Sequence, residues 1–325
     1  MRTKIFTLLL ILFGIAQTSV FSRDLEKRQP SLTYDFSFVN LAIKYLETGN
    51  TNYLYQISKL DAIRHIFNHA STFGGYDGTK LELVTYLLSP RDRQKELLPI
   101  VKRNLNFAKT LAKSGVVEKI TLQYLPKDFR FSGSLFFTFG YDIGVVFGEN
   151  SSLNLAHPIF SDDVSEIKFW AIHELHHAGF VQIREGYMPS FDMTTYGEMA
   201  RLIEYAVHLE GMATFSALAI REQENAMNAH RDYVTLQNLE LMREQIKRFF
   251  DIYFHFKNSP DSLLTGRDWQ KIHVLTSGER LLYTVGAYIA RTIDQKAGRE
   301  RLVDMIFKPS ENFITTFLEL RPHTR

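Results

Sequence analysis

His173, Glu174 and His177 stand as H-E-x-x-H within Phe169-Trp-Ala-Ile-His-Glu-Leu-His-His-Ala-Gly179. On a helix this spacing sets two imidazoles one turn apart on the same face, with the carboxylate looking into the adjoining space. Two neutral histidines can share one Zn²⁺ at ~2.0–2.1 Å. The glutamate can then take a proton from the water on that ion, whose pKa the metal lowers to about 7. The residues on either side, Phe169 to Ile172 and Ala178 to Val181, are apolar apart from a glycine. The helix is therefore expected to be buried, where unpaired histidines are costly. His176, three residues after His173, also reaches toward that face, but the i, i+4 spacing of His177 makes the better chelate.

Two histidines and a water leave such a site one protein ligand short. The metzincin pattern would place glycine at 180 and histidine at 183, where this chain has Phe180 and Ile183. The next helical stretch offers Glu198, Glu204, His208 and Glu210. Glu210 is favoured because its neighbours Gly211 and Ala213 would let that helix approach the metal helix closely. Glu198 competes through its shorter separation from His177. A second i, i+4 pair, His65 and His69, has no carboxylate directly after its first histidine. With Ile66 and Phe67 between them, these two read as side chains of a packed helix face, ahead of a substrate-pocket or second metal role.

The elements that must position these residues follow from periodicity. Between Tyr34 and Ala112 apolar residues recur at helical spacing, with breaks at Gly49, Gly74 to Gly78 and Ser89-Pro90. Lys119–Leu125, Ser134–Phe139, Gly144–Phe147 and Ser152–Leu155 read as short strands of a meandering sheet. Asp163 and Glu166 resemble a capping box at the start of the H-E-x-x-H helix. After a turn-rich loop from Gly186 to Asp192, helices are expected over about 196–228, 232–256 and 268–297, with shorter pieces to 320. The class is α+β: a small, mostly antiparallel sheet, then the metal helix, then a mainly helical C-terminal half, all preceded by an N-terminal helical subdomain. The expected boundaries are 1–22, 31–112 and 113–325.

Composition narrows the function. A net charge of +2 without a basic run interleaved with aromatics argues against nucleic acid as a partner. The chain has no cysteine, which excludes disulfides, thiolate ligands and a thiol nucleophile and leaves His, Asp and Glu as the strong metal ligands. Arg2 and Lys4, the apolar run Ile5–Ala16 and the small residues up to Ser22 read as a secretory signal cleaved after Ser22, with an uncleaved anchor as the alternative. No later run approaches the ~18 apolar residues of a membrane span. The expectation is an exported, periplasmic or secreted protein, and the lack of disulfides suits a bacterial source.

H-E-L-H-H at 173–177, E-G-M-A at 210–213 and Leu282–Ile289 together resemble the gluzincin (peptidase MA-like) metallohydrolases, most of all their exported bacterial branches of zinc-dependent proteases. The resemblance covers about residues 113–297. It implies strands before the metal helix, an edge strand lining the cleft and a glutamate on a later helix completing the site. Thr214 stands where thermolysin-like members carry an aspartate that braces a histidine.

The expected activity is zinc-dependent hydrolysis of peptide bonds by a metal-activated water, with Glu174 as general base and His173, His177 and Glu210 as ligands. The peptide or protein substrate would lie along an edge strand near Ser152 to His157. Tyr283 is the candidate donor to the tetrahedral oxygen, since Gly286 and Ala290 share its helix face; His273 and Tyr288 are its rivals. The alternative is a non-catalytic exported domain that binds metal or peptide on the same fold.

Overall fold

A computed structural model describes residues 32–184, 189–190 and 192–321. The expected signal segment, 1–22, lies outside the described residues. The chain sorts into two compact units, one holding residues 32–122 and 127–182, the other residues 123–126 and 183–321.

The first unit runs β1 (Leu32–Asp35), α1 (Ser37–Thr48), α2 (Asn52–Ile57), α3 (Asp61–Gly74), α4 (Lys80–Leu87), α5 (Arg91–Glu96), α6 (Leu98–Ser114), α7 (Val116–Thr121), β2 (Gly133–Thr138), β3 (Gly144–Phe147), β4 (Asn150–Asn154), α8 (Ile159–Asp162) and α9 (Glu166–Ile183). Helix α3 buries Ala62, Ile63, Ile66, Ala70 and Phe73, the stripe that its 3.6-residue period aligns. Thr79 and Glu82 form a capping box that starts α4. Ahead of α9, the Asp163 carboxylate accepts from both the amide and the hydroxyl of Ser165.

The four strands form one sheet in the order β1-β2-β4-β3. β1 pairs with β2 and β2 with β4 in parallel, while β3 and β4 are antiparallel. The α+β class therefore holds, but the sheet is mixed, with two of its three pairings parallel. β1 is too short for a period to show in sequence, and its partner β2 lies about a hundred residues away. The segment expected as a strand from Lys119 to Leu125 is instead the end of α7 and a 3₁₀ turn over Leu122–Tyr124. The buried residues Val117 and Thr121 of α7 and Tyr124 of the turn follow helical spacing, a pattern masked by the chance alternation of Ile120, Leu122 and Tyr124. β4 is an interior strand, so the edge beside it is β3. An edge near Ser152 to His157 is thereby ruled out.

The second unit is helical: α10 (Tyr196–Gln223), α11 (Arg231–Gln237), α12 (Leu239–Lys257), α13 (Asp268–His273), α14 (Leu281–Ala297), α15 (Arg299–Asp304) and α16 (Glu311–Leu320). Most of the middle of α10 is buried on every side, from Leu202 to Leu218. It packs on α14 where Gly211 meets Gly286. A Cβ at Gly211 would lie 2.4 Å from the Gly286 backbone, so only a pair of glycines permits this crossing. Gly211 thus serves the contact with α14. The expected helix over 232–256 is two, because the Asn238 side chain accepts from the Leu241 amide and starts α12 afresh. The expected helix over 268–297 is interrupted by a π-helical turn at Val274–Gly278 and by Arg280, whose φ is 56°. No helix among the described residues is long and apolar enough to cross a membrane.

Candidate metal centre and active site

Helix α9 buries Ile167, Phe169, Ala171, Ile172, Leu175, Ala178 and Phe180, and so carries His173, Glu174 and His177 into the interior without a polar face of its own. The Nε2 atoms of His173 and His177 stand 2.9 Å apart with their rings nearly perpendicular. The Trp170 ring lies against His173, with centroids 5.4 Å apart. The ligand atoms of His173, His177 and Glu210 all lie within 4.8 Å of one another, and all three residues are buried. Among the described residues this is the one group of three or more His, Asp and Glu side chains that converges in this way.

The donor set fits zinc. Two nitrogens each ~2.05 Å from a tetrahedral ion stand about 3.3 Å apart, so the 2.9 Å pair needs only a small opening to hold one. One carboxylate and two neutral imidazoles leave a fourth position for water, the composition of a hydrolytic rather than a closed structural site.

The other candidate ligands are engaged elsewhere. The Glu198 carboxylate accepts from the amides of Thr194 and Thr195, which cap α10 and hold its pKa down to about 2. Glu204 accepts from the Tyr253 hydroxyl and from Lys257, each at 2.8 Å. The Nδ1 of His208 is shared between Arg184 and Ser310, and its ring stacks on Phe313. Thr214, at the position expected to brace a histidine, has a buried hydroxyl with no hydrogen-bond partner among the described residues. It is no substitute for the aspartate.

Glu174 is buried against the edge strand. A Cβ at Gly144 of β3 would lie 2.6 Å from its carboxyl carbon and from one carboxylate oxygen. Only a glycine therefore lets the carboxylate sit flush with the strand. Since the Asn154 amide donates to the Ile143 carbonyl, the antiparallel alternation turns the main chain of Ile143, Val145 and Phe147 toward β4 and that of Gly144 and Val146 outward. Sequence reasoning missed Gly144, although an isolated glycine within a strand is itself a signal of close backbone approach.

From α3, His65 holds the same strand and His69 the turn that precedes it. His65 meets the Val145 carbonyl at 3.2 Å, and His69 meets the Tyr141 hydroxyl at 2.8 Å. Burial lowers their pKa values to about 4 and about 3. Both are neutral, structural side chains.

Tyr283 is buried on α14, one turn before Gly286, with the Arg280 guanidinium 3.5 Å above its ring. Its face meets α10 through the Gly286–Gly211 contact, so the small residues beside it serve helix packing. His273 is exposed and bonded to Ser277, and Tyr288 packs edge-on against Phe317. Arg280 also escaped the sequence reading, because a positive φ at a residue other than glycine leaves no mark in sequence.

Comparison with curated proteins and with solved structures gives no match. A family model described as "Putative zinc dependent peptidase (DUF5700)" matches residues 42–321, and the chain belongs to that family.

Proposed function

We propose that this protein is an exported, gluzincin-like zinc peptidase, in which His173, His177 and Glu210 hold the metal and Glu174 is the general base. The observation that carries the reading is the buried His173–His177–Glu210 cluster, with a further buried carboxylate, Glu174, next to its first ligand. A structural metal site needs no such group, whereas hydrolysis does. When bound, zinc supplies the Lewis acidity that makes a water nucleophilic near neutral pH and polarises the scissile carbonyl.

The chain's own groups do the rest. Glu174 accepts the proton of the attacking water and passes it to the leaving amine. The outward main-chain groups of Gly144 and Val146 pair with an extended peptide, which adds a strand to the sheet edge directly over Glu174. Tyr283 donates to the oxygen on which charge develops.

Glu174→Gln tests the reading, because it removes the proton acceptor and leaves the three ligands. The variant should keep about one zinc per chain by elemental analysis and lose a factor of about 10²–10⁴ in kcat on a peptide-library substrate. Unchanged turnover would exclude Glu174 as the base, and no turnover by the wild-type protein either would favour a binding domain. Loss of zinc would make Glu174 a ligand.

A further inference from the structure

Arg280 is a side chain to which the peptidase reading gives no task. It is only 8% exposed. Its backbone is left-handed, which residues other than glycine adopt at a cost and keep where the surroundings over-determine it. Its Nε donates to both oxygens of Asp232, at 3.0 and 2.9 Å, and its Cζ lies over the Tyr283 ring, 3.5 Å from the ring centre. These two contacts hold the group in place. They leave the terminal Nη1 and Nη2 without a hydrogen bond to any described residue, and neither nitrogen is sealed from solvent.

The group is held charged. Burial disfavours the charge of Arg280, and Tyr283, Asp232 and Glu210 outweigh this and push its pKa up, which places Glu210 within electrostatic reach. His230, whose pKa burial lowers to about 4, feels Asp232 on one side and Arg280, Arg221 and Arg231 on the other. A planar pair of N–H donors of fixed direction matches a carboxylate, which accepts two parallel hydrogen bonds.

We propose that Arg280 is a substrate-binding residue whose Nη pair receives a carboxylate of the substrate, beside the ligand Glu210. The inference rests on the zinc-peptidase reading, and it makes the preferred substrate an acidic one. The carboxylate is either the peptide's own C-terminus or an acidic side chain.

The test is calorimetric, on the zinc-loaded Glu174→Gln protein, which binds without turnover. Three N-acetylated alanine tetrapeptides are compared: one ending in a free acid, one in an amide, and one in an amide with a single glutamate. The expected result is that at least one acid-bearing peptide binds ten-fold or more tightly than the neutral amide. The free acid winning assigns the terminus, and the glutamate peptide winning assigns a side chain. Adding Arg280→Gln, with zinc content unchanged, should bring that peptide down to the level of the amide and leave the amide as it was.

Equal affinity for all three, no measurable binding of any, or an equal loss for all three in the variant overturns the proposal. Where thermal melting shows Arg280→Gln to be unfolded, Arg280→Lys replaces it, because lysine keeps the charge but lacks the fork. It should still lose most of the preference, and full retention would overturn the proposal. Hydrolysis by the wild-type protein is scored separately, so failure of Glu174 as a base is distinguished from failure of Arg280 as a binding group.

Discussion

Helices α3 and α9 each carry two buried histidines four residues apart, and they do opposite things with them. On α3 the two rings diverge: His65 turns to a strand carbonyl and His69 to a tyrosine hydroxyl. On α9 the two Nε2 atoms turn to one point, where a glutamate carboxylate joins them. Spacing is therefore only a permission. A pair becomes a ligand set when a nitrogen of each ring turns to one point and a third donor converges on the same spot; rings that diverge to separate partners, as on α3, meet the hydrogen bonds that burial demands but hold no ion.

The sharpest way to break this comparison is to remove one histidine from each helix. His177→Ala leaves two ligands, and two bind zinc far more weakly than three. It should retain less than about a tenth of the zinc after dialysis and show no measurable hydrolysis. His69→Ala should keep about one zinc per chain, because its ring nitrogen serves Tyr141. Its cost is stability, about 1–3 kcal/mol for a buried hydroxyl stripped of its partner, read by chemical denaturation. Zinc loss in the second variant, or stoichiometric zinc in the first, would erase the distinction between the two helices.

A smaller effect separates what a strand does for each helix. On the α9 side, β3 supplies an absence of side chain: a methyl group at Gly144 would sit 2.6 Å from the Glu174 carboxylate and must displace it. Displacing a reacting group by ~1 Å costs up to about 10²-fold in rate. Gly144→Ala should thus lower kcat by about 10–100-fold with zinc content unchanged. Glu174→Asp in that background, whose shorter side chain clears the methyl, should lose less than the product of the two single effects. Strictly multiplicative losses would mean that Gly144 and Glu174 do not meet in the working enzyme.

What the sequence revealed divides along the same physical line. His173, His177 and Glu174 are legible because a helix turns spacing into geometry within a single turn. Glu210 was separable from Glu198 and Glu204 only by tertiary partners. Glu198 caps its own helix, and Glu204 answers Tyr253 and Lys257, residues about fifty positions away. The strands β2, β3 and β4 showed as short strand-like runs between turns. Their order did not, because parallel pairing of β1 with β2 and of β2 with β4 is a long-range choice that leaves no local pattern, and it decided which strand is the edge. Gly211 was read as clearing room toward the metal helix. The room it clears is for Gly286, since no sequence feature says which neighbour fills a gap.

The last contrast concerns protons. The α3 histidines are held neutral chiefly by burial, to which His65 adds at His69, with folded pKa values near 4 and 3 against about 6.5 in an unfolded chain. Between pH 6.5 and those folded values the unfolded chain binds more protons than the native one, so native stability falls as the pH falls. The contribution is complete above pH 6.5 and is lost by up to about 1.4 kcal/mol per pH unit for each histidine on the way down. His230, lowered to about 4 in the second unit, adds to the same trend. Denaturant titrations of metal-free protein at pH 7.0, 5.5 and 4.5 remove the metal ligands' stake in zinc and expose this slope. His69→Gln, which keeps a hydrogen-bonding group for Tyr141 and cannot titrate, should start less stable at pH 7.0. Between pH 6.5 and 4.5 it should lose about 1.4 kcal/mol per unit less than the wild type, so the gap between the two proteins narrows as the pH drops. A gap that stays constant would mean that His69 is already solvated or charged at neutral pH, and the α3 pair would then differ from the α9 pair in its partners but not in its burial.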